Sequence, residues 1–300
     1  MEWKPNGSAA NVGRAIDRLR ADASSTRERR SVVRIVAVPF MGETGRRLCA
    51  EAGVSWIDLS GNAWIDSPGT RIRILGNRNR FAAAGRPASL FGPRGSRVTR
   101  ALLLAPDHCL TQAQLVQAAG IDRSQVSRLI RRMEAEGLLI RDRAGRGRRL
   151  GNPALALEAW REAYDFEKHR VLRGHVSARS PEELTARLAE LTGKSSWALT
   201  GLAAAWHLTR FAMYRLTSAY LREPPSASWL DRLGFTHEPR GANLWLVVPN
   251  DDAVFEGANA LGGVPCVHPI QTYLDLKAQP ERSKEAAEEL KRRLLRWDRS

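Results

Sequence analysis

Ser124, Gln125 and Arg128 are the residues of this chain whose types and spacing best suit a defined chemistry. They fall at the start of RSQVSRLIRRMEA (residues 123–135), in which Val126, Leu129, Ile130 and Met133 recur three and four apart and so form one apolar stripe of a helix. The other face carries Arg123, Ser124, Gln125, Ser127, Arg128, Arg131 and Arg132, all hydrogen-bonding or cationic. A helix of this kind fits the major groove of double-stranded DNA and sets its first turns against base edges, where Gln suits adenine and Arg suits guanine. Arg131 and Arg132 lie further along, where the groove turns away, so phosphates are their expected partners.

Such a helix must be held by neighbours, and the flanking residues supply them. LTQAQLVQAAG (residues 110–120) predicts a first helix from about Thr111 to Ala119, with Leu115 and Ala119 facing inward and Gly120 at a tight turn that needs positive φ. Ile121 plugs that turn, and Asp122 or Ser124 caps the next helix. Gly137 ends the second helix, residues 138–140 read as a short strand, and RAGRGRR (residues 143–149) makes a glycine-bearing hairpin tip. The pattern is a winged helix-turn-helix. Its wing offers Arg146, Arg148 and Arg149 to a neighbouring minor groove or backbone. Residues 94–150 hold twelve arginines against five acids, a surplus of about seven that fits a phosphate-facing surface. The alternative for the same residues is a helix pair used for packing or dimerisation, with a solvated basic face.

The 300 residues exceed one ordinary domain, and the 43% hydrophobic and 26% charged fractions are those of a soluble globular chain. The net charge of +15, dominated by arginine, favours a polyanionic partner. Cys49, Cys109 and Cys266 are widely separated and show no metal-ligand spacing, so neither a disulfide framework nor a metal site is expected. No apolar leader or membrane-length apolar run appears, which points to the cytoplasm.

Around the winged segment the chain reads as α+β and multi-domain. Residues 1–31 are polar and arginine-rich, an arm or a short helix with one amphipathic piece at 12–19. VVRIVAV, the helical ETGRRLCAEA, and the runs at 54–57, 63–66 and 71–75 then form a small βαβββ unit. The expected divisions are an N-terminal α/β unit (1–81), a Gly/Pro/Ala/Arg-rich linker (82–97), a winged domain with a connecting helix (98–172, the helix spanning 154–172), and a C-terminal α+β domain (173–300). In that last domain, helices are expected at 181–191, 202–212, 269–276 and 281–297, and strands at 197–199, 213–220, 243–248 and 263–267.

Two enzyme readings compete. Glu43, Asp58 and Asp66 loosely resemble the acidic set of a metal-dependent nuclease, but no lysine follows them to position water, and Asp58 also suits a turn role in DLSGN. Thr200-Gly201 and Asp251-Asp252 invite a nucleotidyltransferase reading. Adjacent aspartates on a strand point to opposite faces, so this pair fits a shared metal poorly and reads better as an acidic turn after Pro249-Asn250. His207, His237 and His268 have no ligand spacing and read as structural. No catalytic residue, metal or cofactor is therefore expected.

WIDLSGNAWI (residues 56–65), the winged segment followed by NPALALEAWREAY, ALTGLAAA (198–205) and HPIQTYLDLKAQPERSKEAAEELKRRLL (268–295) together resemble the AbiEi family of type IV toxin–antitoxin systems. The resemblance implies a DNA-binding, autorepressing antitoxin and a nucleotidyltransferase-like toxin that it opposes without a necessary stable complex. A homodimer on an operator is compatible with it. In the best-known members the winged domain opens the chain, whereas here an α/β unit precedes it.

Overall fold

The computed structural model describes residues 1–25, 32–81, 90–192, 196–211, 213–261, 263–280 and 282–297. The chain divides into two compact units, residues 1–163 and 164–300. Both mix helix and sheet, as the α+β reading expects.

Unit 1 begins with β1 (Glu2–Trp3), α1 (Ala9–Ser25), β2 (Ile35–Val38), α2 (Glu43–Ala52), β3 (Ser55–Asp58), β4 (Ala63–Ser67) and β5 (Thr70–Ile74). The strands form one sheet in chain order; β1, β2 and β3 run parallel, and β3, β4 and β5 are antiparallel. Residues 1–25 are thus part of the fold rather than an arm, and residues 26–31 of the same stretch lie outside the described residues. The 12–19 piece lies in a 17-residue helix, and its Val12, Ala15, Ile16 and Leu19 are buried against Val36, Val38 and Trp56. An amphipathic helix gains its stability from such a partner surface. The DLSGN turn is held by Asp58, which is 7% exposed and accepts from Met41 N–H (3.1 Å), Asn62 N–H (2.8 Å) and Asn62 Nδ2 (2.9 Å). That carboxylate is engaged by the backbone. Asp66 instead pairs with Arg71 at 3.3 Å.

Then come α3 (Pro93–Leu104), β6 (Leu110–Thr111), α4 (Gln112–Ala119), α5 (Arg123–Ala135), β7 (Leu139–Arg141), β8 (Gly147–Leu150) and α6 (Pro153–Ala163). Two expected boundaries change. Residues 82–89 of the anticipated linker lie outside the described residues, and its last five residues are already helical, because Pro93 at the first helical position starts α3 early. The connecting helix stops at Ala163 instead of 172, and residues 170–174 become a strand of unit 2. Helix α6 packs on α1, α2 and α3, with Ala156, Leu157 and Trp160 buried. Phe91 stacks on Trp160 at 6.4 Å and the Arg100 guanidinium lies 5.1 Å from the same ring. Arg47 bonds Glu158 at 2.7 Å. So the α/β sheet and the winged segment form one body.

Unit 2 contains β9 (Arg170–Gly174), α7 (Pro181–Leu191), β10 (Trp197–Thr200), α8 (Gly201–Thr209), β11 (Thr217–Leu221), α9 (Ala227–Leu233), β12 (Leu244–Val248), β13 (Asn259–Leu261), β14 (Val264–Cys266), α10 (Pro269–Asp275) and α11 (Ser283–Leu294). Its sheet runs β13-β14-β10-β11-β12-β9. The expected helix at 202–212 ends at Thr209, with Arg210 left-handed (φ 53°), and the strand expected from 213 starts at Thr217.

The quoted motifs of this unit meet in a buried polar core. Asp275, 0% exposed, accepts from Tyr164 OH (2.5 Å), Gln271 Nε2 (2.8 Å) and Tyr220 OH (3.1 Å) at one oxygen, and from Thr200 OH (2.5 Å) at the other. Gln279 accepts from Leu202 N–H (2.7 Å) and donates to Ser218 (2.8 Å). His169 Nδ1 accepts from Asn250 N–H (3.1 Å), so the neutral ring keeps its proton on Nε2, 2.8 Å from Tyr164 OH. Burial raises the Asp275 carboxyl above its ordinary range and lowers His169 below the ordinary imidazole value.

Two outcomes follow for unit 2. Gly201 has φ 58° and a Cβ there would overlap the Gln279 carboxamide, so Gly201→Ala should cost at least about 2 kcal/mol, combining left-handed strain with a disturbed buried hydrogen bond; calorimetry checks it. His169, with its depressed folded value, contributes stability fully present above about pH 6.5 that is lost as pH falls, because the unfolded chain takes up a proton first. In denaturant titrations between pH 5 and 7, His169→Gln should flatten the pH dependence by up to about 1.4 kcal/mol per pH unit.

Candidate nucleic-acid interface

The winged segment is built from local signals. Thr111 and Gln114 make a reciprocal cap at the start of α4: Gln114 N–H donates to Thr111 Oγ1 (3.3 Å) and Thr111 N–H to Gln114 Oε1 (2.8 Å). Leu115 and Ala119 are buried, and Gly120 closes the helix at φ 60°. Asp122, rather than Ser124, caps α5 by accepting from Gln125 N–H at 2.9 Å, while Ser124 OH donates to Asp122 at 2.6 Å. Those bonds hold the Asp122 carboxyl below its usual range, the Ser124 hydroxyl first among the causes.

Within α5, Val126, Leu129, Ile130 and Met133 are all buried, so the opposite face must point out. Arg123, Ser124, Arg128 and Arg131 are exposed and Ser127 is half-buried. The guanidinium groups of Arg123 and Arg128 have no hydrogen bond or ion pair among the described residues, and Arg131 reaches only the Ser127 carbonyl at 3.4 Å. These five residues share one accessible face.

The other two helix residues are placed differently. Gln125 lies one turn before Leu129 and turns toward the start of α3, where it lines a cleft of about 480 Å³ with Gly92, Pro93, Arg94, Gly95, Arg128 and Leu129. Its Oε1 is buried there and has no hydrogen-bond partner among the described residues. The four-residue step to Leu129 is the sequence signal for that inward turn. Arg132 bonds Glu136 one turn on at 3.0 Å.

In the wing, β6, β8 and β7 form a three-stranded sheet in which Leu139 faces Leu150, Ile140 faces Arg149 and Arg141 faces Arg148. Residues i and i+2 share a face of a strand, so Arg148 lies with the buried leucines and Arg149 on the outer side. The tip closes as Asp142 accepts from Arg146 N–H and Gly147 N–H, both at 2.9 Å, with Gly145 at φ 71°. Arg143 and Arg146 stand exposed at the tip. Arg148 is instead ion-paired to Glu134 of α5 at 3.1 Å, its side chain 16% exposed. Glu134 and Arg141, which also pair, are functional candidates that spacing alone did not reveal, because the contact depends on strand register.

The turn after α5 is braced from a distance in sequence. Gly137 has φ 71°, and the guanidinium of Arg14 in α1 occupies the space where a Cβ would sit. Among the described residues no group of three or more His, Cys, Asp or Glu is arranged to hold a metal, and no helix is long and apolar enough to cross a membrane.

Residues 97–150 match the MarR family, and residues 149–296 match the family described as transcriptional regulator, AbiEi antitoxin, type IV TA system. No curated protein and no solved structure matches the chain. The resemblance read from the C-terminal motifs and the winged-helix reading are each matched by a family.

The bracing of Gly137 is testable. Gly137→Ala should lower stability by about 1–2 kcal/mol from left-handed strain, and by more because Arg14 must move. Combining it with Arg14→Ala should remove only the steric part in a double-mutant cycle followed by thermal melting. Strictly additive effects would mean that Arg14 does not rest on the turn.

Proposed function

We propose that the chain is a winged-helix, DNA-binding transcriptional regulator with an AbiEi-like antitoxin region, which reads a specific operator and represses its own promoter. The observation that carries this reading is the accessible face of α5: Arg123, Ser124, Ser127, Arg128 and Arg131 lie together while the apolar stripe is buried. Arg128 sits one turn into the helix and reads a base edge, guanine by its bidentate geometry. Ser124 and Ser127 make further base-edge or phosphate contacts. Arg131, Arg146 and Arg149 neutralise backbone phosphates. Gln125, Arg132 and Arg148 support this surface rather than touch the duplex. The AbiEi region serves antitoxin activity against a nucleotidyltransferase-like toxin encoded beside it.

The test is fluorescence anisotropy with a duplex from the chain's own upstream region and a scrambled duplex, titrated with salt. Arg128→Ala should weaken operator binding by roughly 5- to 150-fold, the equivalent of about 1–3 kcal/mol, and scarcely change binding to scrambled DNA. Arg149→Ala should weaken both alike and reduce the slope of log K against log salt by roughly one unit. Equal loss on both duplexes for Arg128→Ala would remove its base-reading role. Failure of the unaltered protein to prefer its upstream duplex would remove autorepression.

A further inference from the structure

The antiparallel register of the wing sets Arg141 directly opposite Arg148 on the face that looks at α5. Two like charges in that position repel and weaken the hairpin. Glu134 of α5 resolves the conflict. Its Oε1 accepts from Arg141 Nε at 2.9 Å and from Arg148 Nε at 3.1 Å, and its Oε2 accepts from Arg141 Nη2 at 2.9 Å. One carboxylate thus joins the recognition helix to both strands of the wing. Arg148 is fastened further by donating to the Arg146 carbonyl at 3.1 Å.

We propose that Glu134 is a specificity-determining positioning residue, which fixes the wing against the recognition helix and withholds Arg141 and Arg148 from the DNA backbone. The proposal rests on the DNA-reading assignment of the same surface. A carboxylate at a phosphate-facing surface lowers attraction to any polyanion, so its presence requires a compensating role. Here that role is geometric. The bidentate grip on Arg141 and the second bond to Arg148 fix the approach of the wing, whereas two free arginines would add attraction that is blind to sequence. The Glu134 carboxyl is held below its ordinary range, with the Arg141 hydrogen bond the largest cause, and so it is charged at neutral pH.

The experiment uses the full chain, with the upstream and scrambled duplexes in a salt titration, and two variants. Glu134→Gln keeps the shape but loses the charge. It should bind scrambled DNA several-fold more tightly, steepen the salt slope on that duplex by roughly one to two units as the freed arginines meet phosphates, and lower the operator-to-scrambled ratio. Arg148→Gln should lower that ratio while leaving the scrambled-DNA slope at its original value, because Arg148 contacts Glu134 and not phosphate. A loss of about one unit of slope in Arg148→Gln would make it a direct phosphate ligand and overturn the proposal, even if Glu134→Gln failed to fold. An unchanged ratio and slope in a folded Glu134→Gln would overturn it as well. If the unaltered protein bound neither duplex, the DNA-reading assignment itself would fall, which is a separate result.

Discussion

Burial of the stripe Val126, Leu129, Ile130 and Met133 is the constraint on which the interface depends. Each of these side chains is at most 5% exposed, and each contributes roughly 1.5–3 kcal/mol through burial. The stripe fixes the rotation of α5 about its axis. Once that angle is set, the spacing of 3.6 residues per turn decides which side chains remain outside. Arg123, Ser124, Ser127, Arg128 and Arg131 are outside for that reason, and Gln125 is drawn inward because it lies one turn from Leu129. A polar substitution in the stripe would therefore disturb the accessible face without touching any residue of it.

The orientation of α5 is in turn held by elements distant in sequence. Arg14 of α1 rests on Gly137, Arg47 of α2 binds Glu158 of α6, and α6 packs against α1, α2 and α3. The α/β sheet that precedes the winged segment thereby serves as its foundation. Unit 2 solves a different problem. It places an aspartate at 0% exposure and surrounds it with hydroxyl and amide donors, which meets the cost of burial through a dense hydrogen-bond network. Thr200, Gln271 and Asp275 all lie in the motifs that carried the family resemblance, and all three take part in this network.

Much of the interface was legible in the sequence because it is written locally. Glycines at 120 and 137, the capping Asp122, and the three- and four-residue spacing each act within a few residues. The turn role of Asp58 in DLSGN was readable for the same reason. What escaped depends on tertiary pairing. A two-residue strand such as β1 has no periodicity, and β9 lay hidden at the end of an apparently helical run. The Glu134 contact with Arg141 and Arg148 requires both the hairpin register and the angle of α5, neither of which spacing supplies. Arg148 looked like a surface cation because five of the residues from 140 to 149 are arginine, and only the pairing Leu139–Leu150 and Arg141–Arg148 shows that it faces inward.

The central claim is that the outward face of α5 reads sequence while the wing holds the adjacent backbone. Selection of duplexes from a random-sequence pool, followed by hydroxyl-radical footprinting of the enriched DNA, tests it most directly. The account predicts a defined enriched motif containing guanine, with protection of the backbone on both sides of one major groove and, adjacent to it, the segment under the wing. Substituting Arg128 should relax the enriched motif at a single position and leave the protected backbone in place. A pool that never converges, or a footprint unaffected by changes in α5 and the wing, would contradict it.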